Sequence, residues 1–402
     1  MIAPHRSARS PFMAARLQGA ASPGRTDETG LPTEVALLGS TQWSSVIYLA
    51  QALFESGLRP RIVGTHALPP PLAGIVACQV VPAWESQAFR QVLHALAADP
   101  SVAWIVPVHD EALPVCLAEI GDSPKLLPRL STENRQRLQD KHTMRAFAAS
   151  LGMAVPASIE VQSADAALHA AQILGYPVVL KGAGGFGGSQ VRICANPHEL
   201  GRHWPDVSAH RPAVQTFIPG AMWGAGGYFV NGAPCAVQLY EVLEQDPPGI
   251  GPPVRIRHDA QPELLAHLLD CMQALRWSGF AQMDFVRDPV GRFVFMEINP
   301  RPWGSMSATR VAGNNLYAPW IDHLLGRVPG VDLCNRDGWS GYVFPNPMGA
   351  LAARGDGLGL LKLLITPAYW RSQPPMLGPV RMSFLKTAWW QWLHARRRPE
   401  TG

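Results

Sequence analysis

The chain has 402 residues, 34 Lys+Arg against 30 Asp+Glu for a formal charge of +4, and is 47% hydrophobic and 16% charged. That length suggests several structural units, and that apolar content excludes a chain disordered throughout. The small positive excess has no dominating basic block, so it excludes a typical nucleic-acid binder.

Residues 1–33 hold Arg6, Arg9, Arg16 and Arg25, with no acid before Asp27 and no continuous apolar stretch. They read as a disordered or targeting-like extension rather than a secretory signal. Order is expected from Glu34. A short buried strand at 34–39 leads into a helix over 44–56, closed by Gly57. Strands follow at 61–65 and 103–108, with a helix over 85–98 between them. This alternation implies a doubly wound parallel sheet, here a Rossmann-like unit over 34–135. Ligands on such sheets sit at the carboxyl ends of strands. Residues 39–43 and the triplet His109-Asp110-Glu111 occupy such ends.

One helix is expected over 131–151, stopped by Gly152, and a second from the cap Ser163 to Gly175. A strand over 176–181 enters the segment 182–188, which has five glycines in seven residues, and a strand over 189–193 leaves it. Further strands are expected at 213–218, 227–230 and 236–240. A helix over 262–276 begins at Pro262. A hairpin joins 279–286 to 292–298 across Asp288-Pro289-Val290-Gly291. Beyond Gly330 the chain is rich in Pro, Gly and Trp, with weak periodicity. The organisation is then a unit over 136–330 and a C-terminal appendage over 331–402.

The cysteines at 78, 116, 194, 235, 271 and 334 form no C-x-x-C pair. This argues against a zinc knuckle or a disulfide framework and fits a reducing compartment, so a cytoplasmic location is expected. No run approaches the roughly 18 apolar residues of a membrane-spanning helix.

The glycine tip lets the backbone approach a ligand and offers N–H groups to phosphate oxygens. A dinucleotide fingerprint needs a helix after its glycines, and here a strand follows. A Walker loop needs Gly-Lys-Ser/Thr at its end, and here Lys181 precedes the glycines. A ligand-free flexible tip is the competing reading. The second element is the hairpin, whose two arms carry Asp284 and Glu297. Two carboxylates and the Asn299 carbonyl are hard oxygen ligands that suit magnesium carrying nucleotide phosphates. Arg301 adds a fixed positive fork for phosphate or an acyl phosphate. The competing reading is a salt-bridged hairpin end.

Taken in order, these motifs resemble the ATP-grasp superfamily, from about residue 140 to 326. The superfamily includes D-alanine–D-alanine ligase, biotin carboxylase and carbamoyl phosphate synthetase. Asp140-Lys141 opens a helix, and the resemblance makes Lys141 the first phosphate-contacting lysine. Val178-Val179-Leu180-Lys181 supplies the second, at the edge of a glycine lid that includes Gly184, Gly185, Gly187 and Gly188. Gln215 and the backbone of Phe217 and Ile218 match the adenine hinge. Asp284, Glu297 and Asn299 match the metal ligands, and Arg301 the catalytic basic residue after them. Two of only five lysines therefore fall where the family has lysine. The pattern departs in two places. No ribose-binding carboxylate stands near Met222, and Gly182 replaces a common proline.

The resemblance implies an α/β fold, with a pre-ATP-grasp sheet followed by a two-part α+β ATP-grasp unit. It implies ATP with Mg²⁺, or Mn²⁺, as cofactors, and small-molecule carboxylate and amine substrates joined through an acyl phosphate. Rival readings are a carboxylate–thiol ligase, a biotin-carboxylase-like enzyme and a catalytically silent ATP-binding subunit. A homodimer is a family expectation. Arg255 and Arg257 are candidates for the triphosphate or substrate carboxylate, or else solvated strand charges, and Arg310 is a weaker substrate candidate. His109 and His258 read as structural. The aromatic run Trp389-Trp390-Gln391-Trp392 before Arg396-Arg397-Arg398 either docks on the core or contacts an anionic membrane surface.

Overall fold

The computed structural model describes residues 33–40, 43–67, 76–182, 190–249 and 251–395. The extension before residue 33, the lid glycines 184, 185, 187 and 188, and Arg396–Arg398 lie outside the described residues.

The first sheet is parallel, in the order β3-β2-β1-β4, from β1 (Glu34–Leu38), β2 (Arg59–Gly64), β3 (Ala77–Val80) and β4 (Val102–Pro107). Its helices are α1 (Ser44–Glu55), α2 (Gln87–Ala98) and α3 (Ala112–Ile120). Strand β3 has no strong sequence signal because Ala-Cys-Gln-Val is short and mostly exposed. The single helix expected over 131–151 is two, α4 (Thr132–Gln139) and α5 (Lys141–Ser150). Asp140 separates them in extended conformation, and its Oδ1 accepts from the His142 N–H at 2.7 Å. An aspartate there caps a new helix better than it continues an old one.

A small antiparallel sheet, β5-β8-β6-β7, follows from β5 (Ser158–Glu160), β6 (Val178–Lys181), β7 (Val191–Cys194) and β8 (Ala213–Thr216). Helices α6 (Ala164–Leu174) and α7 (Pro197–Val207) cover it over a core that includes Ala167, Ala171, Val178, Leu180 and Val214. Helix α7 carries an internal proline, Pro205, so its sequence lacks a clean helical signal. Its start is nevertheless well capped: Asn196 Oδ1 accepts from Glu199 N at 3.0 Å, and Glu199 reaches back to Ala195 N at 2.8 Å.

The large sheet is antiparallel, in the order β13-β12-β9-β10-β11-β14. It consists of β9 (Ala221–Val230), β10 (Ala233–Gln245), β11 (Pro253–His258), β12 (Gly279–Arg287), β13 (Phe293–Asn299) and β14 (Ser340–Tyr342), with α8 (Pro262–Ala274) on one face. Strand β9 runs through glycines that would ordinarily weaken it. A Cβ on Gly224 would lie 2.1 Å from the Tyr240 ring, and one on Gly226 2.6 Å from Trp303. Aromatic rings occupy the space that side chains there would need. One face packs Trp223, Phe229, Phe285 and Phe295 with α8 residues Leu264, Leu268 and Met272. The other packs Tyr228, Tyr240, Ile256 and Phe280 with α1 and the C-terminal segment.

That segment is more ordered than its composition suggests. Helices α9 (Thr309–Ala312) and α10 (Tyr317–Leu324) precede it, and α11 (Asn346–Ala353), α12 (Gly357–Leu364), α13 (Pro367–Arg371) and α14 (Gly378–Ala395) lie within it. It is tied to α1, since Tyr48 Oη donates to the Phe344 carbonyl at 3.1 Å and Gln51 Nε2 to that of Pro375 at 3.0 Å.

Candidate nucleotide and metal site

The hairpin β12–β13 builds the centre of the site. Asp284 lies directly opposite Glu297, and Gln282 opposite Asn299. Alternation along each strand puts all four on one face. The register shifts between Asp284 and Phe285, so that Phe285 faces Phe295 and Met296 is the extra residue. A bulge at this point aims Glu297 independently of the apolar strand behind it.

Hydrogen bonds fix the amides. Gln282 Nε2 donates to Asp284 Oδ1 at 2.6 Å, and Asn299 Nδ2 donates to Gln282 Oε1 at 2.6 Å and to Asp284 Oδ2 at 3.0 Å. With its nitrogen committed, Asn299 presents Oδ1, which lies 3.4 Å from Arg301 Nη2. Burial and then the facing Glu297 charge push the Asp284 carboxyl up to about 7, although Gln282, Asn299 and Arg301 pull it back. Burial also raises Glu297, but Lys141, then Lys181 and Arg301, outweigh it and hold that carboxyl below its usual range. Among the described residues there is no group of three His, Cys, Asp or Glu that forms a metal cluster. The set is instead two carboxylates and an amide oxygen, and its like charges face each other in a way that a divalent cation relieves.

Two lysines converge here from different elements. Lys141 opens α5, behind the Asp140 cap, and Nζ donates to Glu297 Oε2 at 3.1 Å. Lys181 ends β6, beside Ala213 of β8. Burial drops its ammonium to about 8, and Glu297 opposes that drop while Lys141 adds to it. Gln215, on β8, is buried at 3% exposure, and its Nε2 is a buried donor with no partner among the described residues. Phe217 and Ile218 are half-buried on the segment that leads from β8 to β9.

Arg301 is held from the N-terminal sheet. Its Nε and Nη2 donate to Asp110 Oδ1 and Oδ2 at 2.7 and 2.6 Å, and its guanidinium lies 4.8 Å from the Trp43 ring centroid. The fork is therefore matched to a carboxylate three residues past the end of β4. Arg255 is not brought to the carboxylate row. It stacks on Tyr342 at 5.4 Å, three residues along β11 from His258, and so on the other side of that strand from the residue opposite Tyr240. Arg257 pairs with Glu241 at 2.5 Å, and Arg310 with Glu55 at 2.8 Å. His109 is buried between Trp43 and Trp84. His258 is buried against Gln238 Nε2 and the Asn335 carbonyl, both at 3.0 Å, and burial drops it to about 4. Met222 lies opposite Val286 at the start of β9.

Two participants carried weak sequence signals. Gln282 is two positions before Asp284, so strand alternation alone puts it on the same face. Asp110 sits at a strand end, but nothing in sequence links it to a residue 191 positions away.

A family model for "Carbamoyl-phosphate synthase L chain, ATP binding domain" matches residues 140–216. The chain is 24% identical over 223 residues to the carbamoyl phosphate synthase large chain, C-terminal section, of Methanopyrus kandleri, covering 52% of this chain and 39% of that protein. It spans about two fifths of the length of the curated relatives it matches. Among solved structures it is similar to an ADP complex of N5-carboxyaminoimidazole ribonucleotide synthetase, at a TM-score of 0.64 and 14% identity over 91% of this chain and 98% of that one. It is also similar to an L-amino acid ligase from Bacillus licheniformis, at a TM-score of 0.57 and 16% identity over 73% and 74%. The α/β fold is that of these solved structures, and the family match over residues 140–216 and the fold both agree with the ATP-grasp resemblance.

Proposed function

We propose that the chain is an ATP-dependent ligase that activates a carboxylate as an acyl phosphate and passes the acyl group to an amine. The observation that carries this reading is the convergence of Lys141 and Lys181 on the Asp284/Glu297/Asn299 face. The named activities of the similar proteins support it, since they include an amino acid ligase and a carboxyaminoimidazole synthetase.

Asp284, Glu297 and the Asn299 oxygen are the groups to hold magnesium, which when bound would neutralise phosphate oxygens of the nucleotide. Lys141 and Lys181 supply point charges to those phosphates. Gln215 and the segment through Phe217 and Ile218 hold the base, with the buried Gln215 amide as an available donor. Arg301, fixed by Asp110, offers its Nη2 edge on the Asn299 side to the phosphoryl group as it leaves ATP for the carboxylate. In this account most of the rate comes from positioning and charge neutralisation.

The test is ADP release over a panel of carboxylates with and without amines. Release that needs one of each supports the ligase. Release with a carboxylate and a thiol but no amine would identify the thiol ligase instead, and no release with any pair would leave a silent nucleotide-binding protein.

A further inference from the structure

Two C-terminal helices turn apolar side chains to solvent. On α12 and at its C-cap, Leu358, Leu361 and Ile365 are 65%, 57% and 72% exposed. Their i, i+3, i+7 spacing puts them on one face, with exposed Lys362 among them. On α14, Val380, Phe384 and Ala388 are buried in the core shared with α1, while Met382 and Trp389 are 47% and 59% exposed around exposed Lys386. The first residue of α12 meets the C-terminal part of α14. A Cβ on Gly357, the first residue of α12, would lie 3.2 Å from Trp392 Nε1, and the Trp392 ring is 5.1 Å from that of Trp389. Scattered exposed apolar residues are ordinary, but five large ones on two helices that meet at one end mark an interaction surface.

Charge selects the occupant. Residues 346–402 hold eight Lys or Arg and only two acids, Asp356 and Glu400, so the remainder of the chain is slightly acidic. A protein–protein seam is depleted of lysine at its centre. Here Lys362 and Lys386 stand within the apolar faces. Lysines beside exposed Leu, Ile and Trp suit a lipid interface, where long stems lie along acyl chains and ammonium groups reach the headgroups. We propose that α12 and α14 form a face that docks peripherally on an anionic membrane surface. Among the described residues no helix is long and apolar enough to cross a membrane, so the contact is with the surface of one leaflet.

The experiment is co-sedimentation of the full chain with vesicles of phosphatidylcholine alone or of equimolar phosphatidylcholine and phosphatidylglycerol. Binding is expected to the anionic vesicles, weakening as salt rises. It should fall at least about fivefold for each of Lys362→Glu and Lys386→Glu. The double variant Leu361→Glu/Trp389→Glu should abolish it, with unchanged thermal melting because both side chains are exposed. Equal binding to both vesicles, or anionic binding that survives the double variant, overturns the proposal. So does a wild-type dimer that the double variant converts to a monomer without vesicles, which would make the face a seam between two copies.

Discussion

Gln282 and Asn299 face each other across β12 and β13, and Gln282 Oε1 accepts the Asn299 amide hydrogen at 2.6 Å. This contact sets which end of the Asn299 amide points at the site. Gln282→Met removes that acceptor and the donor to Asp284. The magnesium concentration needed for half-maximal nucleotide binding should rise about 10- to 100-fold, as when partners of metal ligands are lost. Titration of magnesium against nucleotide affinity checks this, and an unchanged requirement would make Gln282 a packing residue only.

The Arg301–Asp110 pair makes a different prediction. Arg301 is 8% exposed and doubly bonded to Asp110. Asp110→Ala leaves a buried guanidinium without its carboxylate, at a cost of about 3–5 kcal/mol of stability. Urea denaturation reads this directly. A variant as stable as the parent would mean that Arg301 is held by its stacking on Trp43 instead.

Lys181→Arg keeps the charge but replaces a compact ammonium with a broad fork at the half-buried end of β6. The lost contact should cost about 1.5–3 kcal/mol, or roughly 10- to 150-fold in ATP affinity or turnover. Competition binding with ADP and ATP measures it. Parent-like behaviour would remove the argument that so arginine-rich a chain retains lysine here because the site is too tight for arginine.

Burial holds His258 neutral, with its folded value pushed down to about 4. In the unfolded chain it titrates near the ordinary value of about 6.5. As pH falls below about 6.5 the unfolded state takes up the proton first, so stability falls until the pH passes the folded value near 4, by up to about 3 kcal/mol. Urea melts at about pH 7 and about pH 4.5 should show this fall in the parent and a smaller one in His258→Gln. Equal falls in both would assign the acid sensitivity to other groups.

The legible parts of this chain were those with local chemistry. Strand–helix alternation gave the parallel sheet, and two carboxylates 13 residues apart on one hairpin do meet, because antiparallel pairing makes them cross-strand neighbours. Lys141 lies where a helix opens, yet the break that opens it depends on one Asp140 side chain choosing a cap over a helical turn. Long-range matches left no such trace. Arg301 is basic in either reading, and only the docked N-terminal sheet gives it Asp110. Gly224 and Gly226 stand in β9 because Tyr240 and Trp303 occupy the space their side chains would need. Arg255 shows the opposite case, since it fits a phosphate role by type but strand parity turns it away from the Asp284 row.

In the proposed function Asp284, Glu297 and Asn299 hold a metal that carries nucleotide phosphates. Calorimetric binding of ADP with and without magnesium tests it directly and needs no knowledge of the other substrates. Magnesium is expected to tighten ADP binding to the parent chain, and Glu297→Gln, still folded by thermal melting, to lose that tightening. ADP binding to the parent that is indifferent to magnesium would contradict it.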